Sequence, residues 1–133
     1  MPATIHIPDA YLDSKLGALE TNTLKCMLID ISTYNRATDS TSAHLTEVSG
    51  TGYTAGGCAV TCTVTPDTTN HKTVIVFTPA GWAGATTISA TGAAIIDTND
   101  GNKIVAVDDF GATVASSGGT YSVAAITHEF THF

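Results

Sequence analysis

Basic residues are nearly missing from this chain. Lys15, Lys25, Arg36, Lys72 and Lys103 are the complete set in 133 residues, and they form no stripe. A surface that neutralises phosphates needs clustered Lys and Arg, so direct nucleic-acid binding is not expected. Attachment to an anionic membrane surface is disfavoured for the same reason. Charge of either sign is scarce: charged residues make up 13% of the chain, and the net charge is −7. No apolar run approaches the about 18 residues of a membrane-spanning helix. The N-terminus lacks a basic stretch followed by an apolar one, so the expectation is a soluble chain without a secretion signal. Cysteine is limited to Cys26, Cys58 and Cys62, an odd number that makes no closed disulfide set.

Apolar residues are plentiful at 43%, and Thr alone occurs 24 times. Low charge with ample apolar content argues against disorder. Abundant Thr, Val and Gly favours strands and turns over helices. The length suits one domain, which buries roughly two-thirds of its unfolded surface and folds without metals.

Residues 1–9 read as an extended arm, and residues 10–133 as a single all-β domain. Leu12, Leu16 and Leu19 recur at helical spacing, which predicts a short helix over about 10–20 with Asp9 as its N-cap. Residues 24–31 are nearly all apolar, as in a central strand covered on both faces. Residues 32–57 are turn-rich. Residues 58–65 alternate, with Cys58, Val60, Cys62 and Val64 on one face and Ala59, Thr61, Thr63 and Thr65 on the other. Pro66-Asp67 is expected to begin a turn, with a strand over 73–78 and a loop from Pro79 to Gly84 around Trp82. A long strand over 85–97, hairpin residues Thr98 to Asn102, a strand over 103–110 and a last strand over 120–127 complete seven or eight strands. The expected architecture is a β-sandwich or barrel-like fold.

The string His128-Glu129-Phe130-Thr131-His132 is a literal H-E-x-x-H. On a helix, its two His would grip one zinc ion while the Glu acts as general base of a peptidase. Here the preceding residues alternate as a strand, which sets His128 and His132 about 13 Å apart. The segment is therefore read as a mobile or partner-docked tail, with a zinc metallopeptidase as the remote alternative. Cys58 and Cys62, with His71 nearby, have a spacing too loose for a structural zinc knuckle, and the same strand separation forbids a bridge between them. Either could pair with Cys26 across a sheet; the expectation is buried free thiols. Asp97 to Asp108 departs from the calcium-loop pattern, since Gly101 falls at the fifth position and Asp108 replaces the terminal Glu. Asp108-Asp109 reads as solvated carboxylates. No nucleophile elbow or phosphate loop is present. The expectation is a non-enzyme without a cofactor or metal.

Several strings, in order, carry a resemblance. They are Leu24 to Asp30, Glu47-Val48-Ser49-Gly50-Thr51-Gly52-Tyr53-Thr54-Ala55-Gly56-Gly57, the Phe77…Trp82…Thr86-Thr87-Ile88-Ser89-Ala90 run, Gly92 to Asp97, and Asp108-Asp109-Phe110-Gly111. Over roughly residues 10–126 the chain resembles a family of small structural proteins encoded in tailed-bacteriophage genomes. It departs from that pattern at Ile126 to Phe133. The resemblance implies a virion structural protein made in the cytoplasm of the bacterial host. For some members it implies a capsid cement or decoration role on the outer surface of the capsid. The implied partners are the major capsid protein and further copies of the chain, as a trimer or dimer. Ile5, His6 and Ile7 of the arm, with Tyr53 and Trp82, are the expected partner contacts. The alternative is a tail or fibre component that presents Tyr53 and Trp82 to a host carbohydrate.

Overall fold

The computed structural model describes residues 8–131 of the chain. Its centre is β1 (Leu24–Ile29), the apolar run expected to be covered on both faces. Leu24, Cys26 and Leu28 enter the main core, while Met27 and Ile29 join a second cluster with Ala94 and Ile96. The expected extension to residue 31 does not form, because Asp30 leaves the strand and caps a single 3-10 turn by accepting from the Ser32 N–H at 3.0 Å.

The flanking strands are β2 (Cys58–Asp67), β3 (Lys72–Pro79), β4 (Trp82–Thr86), β5 (Ser89–Asp97), β6 (Lys103–Ala115), β7 (Gly119–Tyr121) and β8 (Ile126–Thr131). Six of them form one antiparallel sheet in the order β6-β5-β1-β2-β3-β8, and β4 pairs with β7 in a small second sheet. The large sheet curls into a nearly closed barrel, so the fold is the all-β, barrel-like class expected.

Several strand assignments differ from the sequence reading, and β6 runs on to Ala115, beyond the expected residue 110. β2 runs through Pro66, which pairs with Thr73, instead of turning there. Beyond Val60 no strand lies on the β1 side of β2, so a residue without an N–H is tolerated. The expected loop around Trp82 is instead the start of β4, and the expected strand 85–97 breaks between Thr86 and Ser89. The break moves the chain from one sheet to the other: Thr86, fully buried, donates to the Gly119 carbonyl, and Thr87 bridges Thr51. The expected last strand likewise divides into β7 and β8, with Tyr121 and Val123 turned into the core at the crossing.

The hairpin at Thr98 to Asn102 forms as its residues require, with Gly101 and Asn102 both at positive φ. Helix α1 (Asp9–Gly17) continues as a 3-10 turn over Ala18–Thr21, and Leu16 and Leu19 pack on the core. Pro8, not Asp9, occupies the cap position. Asp9 is the first helical residue, and its carboxylate meets His71 Nδ1 at 3.1 Å on the β2–β3 turn. No described helix is long and apolar enough to cross a membrane.

Candidate binding interface

The curl of the large sheet brings its two edges, β6 and β8, to opposite sides of one groove of about 1180 Å³. Ile75 and Phe77 of β3 contribute to its lining, and both are almost completely buried. Leu16 and Leu19 reach it from the helical segment, and Val105 to Val107 line it from β6. On the β8 side stand Ile126, His128 and Phe130; Phe130 is 39% exposed, unusual for a ring of that size. Tyr34, Arg36 and Asp39 close the remaining rim.

Backbone pairing along the groove is incomplete. At the start of β6, Ser42 N–H donates to the Asn102 carbonyl and Ile104 N–H to the Ser40 carbonyl, each at 2.9 Å. Beyond this patch no described strand pairs with the outer side of β6, and none with the outer side of β8. Unpaired edge groups beside an apolar surface are a template for an added strand.

The H-E-x-x-H string falls on β8, so the expected tail is a paired strand instead. Ile75 lies opposite His128 and Val74 opposite Glu129, which sends these neighbours to opposite faces of the sheet. His128 faces the groove and packs edge-on against Phe130, with ring centroids 4.5 Å apart. Glu129 faces outward and accepts from Lys72 Nζ at 3.0 Å. A metal held by His128 would thus have no general base beside it. His132 lies outside the described residues, as do Ile5, His6 and Ile7. Among the described residues no three metal-ligating side chains gather.

The aromatic candidates go inward. Trp82, expected to meet a partner, is 5% exposed, because it stacks between Tyr53 (5.3 Å) and Tyr121 (6.0 Å) in the core. Tyr53 is half-buried, and its hydroxyl is engaged twice. It donates to Glu47 Oε2 at 2.5 Å and accepts from the Leu28 N–H at 3.2 Å. Burial and the Glu47 carboxylate push this phenol well above its ordinary range. Gly56 N–H also donates to Glu47 Oε2, at 2.7 Å. The Glu47-to-Gly57 string is therefore a clamp that ties its loop to β1.

The remaining polar candidates have structural partners. Asp97 is buried and accepts from Asn22 Nδ2 at 2.7 Å and from the Asn99 N–H at 3.0 Å. Asp109 is exposed and accepts from the Gly111 N–H at 2.8 Å. Cys26, Cys58 and Cys62 are free thiols; the first two are buried and Cys62 is half-buried. The groove itself went unrecognised at the sequence level, because periodicity gives strands but not which of them end at an edge. No protein-family model, curated protein or solved structure matches this chain.

Proposed function

We propose that this chain is a non-enzymatic structural protein of a tailed-bacteriophage virion, a cement or decoration protein that binds the major capsid protein on the outer capsid surface. The observation that carries the proposal is the open seam: among the described residues, the β8 edge and the β6 edge beyond its Ser40–Ser42 patch have no strand partner, and they flank an apolar groove in an otherwise nearly closed sheet. Its occupant is an extended segment of the capsid protein with apolar side chains at alternate positions. Backbone bonding to the edges supplies affinity, and the groove beside Ile126 and Phe130 selects the side chains. The rim carries two cations, Arg36 and Lys103, and two carboxylates, Asp39 and Asp109, which suits a segment without strong net charge. Self-association as a trimer or dimer repeats this contact and adds avidity on a lattice. The ordered set of phage-like strings and the acidic balance, which opposes adherence to DNA, agree with the same reading.

The test is copy number per purified virion, measured by mass spectrometry against the major capsid protein, together with rebinding to particles that lack the chain. Hundreds of copies and restored resistance to heat or low salt are expected. A few dozen copies or fewer would move the chain to the tail or a vertex and defeat the cement role. Phe130→Glu, at a partly exposed groove residue, is expected to keep the fold and lower particle occupancy at least about tenfold. Unchanged occupancy would remove the seam as the contact.

A further inference from the structure

We propose that Cys26 and Cys58 form a latent cross-strand disulfide, an oxidative lock across the weakest joint of the large sheet. The two cysteines are directly opposed in the β1–β2 ladder. Directly opposed residues of an antiparallel pair have Cα atoms about 4.5–5.5 Å apart, inside the range a disulfide spans. Both side chains belong to the same core cluster, so they leave their strands on the same face. Cys62 is excluded as the partner: Leu24 pairs with Val60, and Cys62 stands two residues beyond the start of β1.

The position gives the bridge its effect. The β1–β2 ladder has three residue pairs, whereas β1–β5 has six and β2–β3 has eight. That short ladder joins the β6-β5-β1 half of the sheet to the β2-β3-β8 half. A bond from Cys26 to Cys58 would also close a loop of about 30 residues, which removes freedom from the unfolded chain.

The two thiols have unequal roles. Cys58 is the more accessible, and its sulfur accepts from the Gly81 N–H at 3.4 Å. The Cys26 thiol beside it and that N–H lower the Cys58 pKa, while Cys26 is held protonated by its neighbour and by burial. With hydrogen peroxide as oxidant, the Cys58 thiolate attacks one peroxide oxygen; the O–O bond breaks, leaving a sulfenic acid and hydroxide. The Cys26 sulfur then attacks the Cys58 sulfur, and its proton leaves with the sulfenic oxygen as water. Two electrons pass from the thiols to the peroxide, and one S–S bond forms. In a reducing cytoplasm the pair stays as thiols, and it closes on release into an oxidising medium. That timing rests on the virion reading; the bridge does not.

The experiment uses the full chain carrying Cys62→Ala, treated with stoichiometric hydrogen peroxide. A mass loss of about two daltons, a Cys26–Cys58 linked peptide and a melting temperature raised by about 5 °C relative to the dithiothreitol-treated sample are expected. Cys58→Ser in the same background should show none of the three. Mass gain from sulfinic acid at Cys58, intermolecular cross-links, an absence of reaction, or a bridge without a thermal shift would each overturn the proposal.

Discussion

Glu47 works as a hub for three groups that would otherwise lie unpaired under a loop. Its Oε2 takes the Tyr53 hydroxyl and the Gly56 N–H, and the Tyr53 oxygen in turn satisfies the Leu28 N–H of β1. Glu47→Ala removes the shared acceptor and should destabilise the protein by about 1–3 kcal/mol in urea unfolding. The raised Tyr53 phenol gives this clamp a pH dependence. A raised acid is neutral in the folded state, so its stabilising contribution is intact below the unfolded value of 10.0 and is lost as pH rises through and above it. Alkaline unfolding should therefore steepen above pH 10, with Tyr121, also raised by burial, adding to the slope. Tyr53→Phe should flatten that slope, measured as unfolding free energy between pH 9 and 11. Gly57 shows why the string carries its glycines: at φ 99° an added Cβ would sit 2.0 Å from the Cys26 carbonyl oxygen. In the sequence this clamp is visible only as a specific string, since the partner that gives it meaning, the Leu28 N–H, lies 25 residues before Tyr53 in the chain.

Strand alternation was the most legible feature at the scale of elements, and it was legible where one face is buried. Cys58 to Thr65 alternate in burial as their pattern requires, and the apolar run at β1 is covered from both sides. The misreadings share one cause. A period of two does not reveal that consecutive residues of one run serve two different sheets, as happens at Thr86–Ser89 and at Tyr121–Ile126. The same blindness hid the docking of the C-terminal strand, whose outward residues carry no apolar stripe. Leu28, fully buried at the middle of β1, is the residue on which the element leans. Leu28→Ala should lower stability by about 2–5 kcal/mol, read from the urea midpoint at unchanged slope. A loss below about 1 kcal/mol would mean that the site collapses around the deletion.

The topology of the whole molecule makes β1 depend on strands from much later in the chain. Its neighbours are β2 and β5, and Leu24 pairs with Asp97 at the far side of β5. Three of the five ladders in the large sheet, β1–β2, β1–β5 and β3–β8, thus join distant parts of the chain, and refolding from urea should take milliseconds to seconds, well behind a helical protein of this length. Stopped-flow fluorescence of the single Trp82, seated between two tyrosines, would track the event directly. The central place of β1 has a consequence during synthesis. Its apolar residues leave the ribosome about seventy residues before β5, one of the two strands they sit beside, which at about 5–20 residues per second is a wait of about 4–15 s. For that interval Met27 and Ile29 lack the Ala94 and Ile96 side chains that cover their face. The nascent chain is then a client for any chaperone that shields short apolar segments, and the yield of folded protein in the cell should track chaperone supply more closely than final stability.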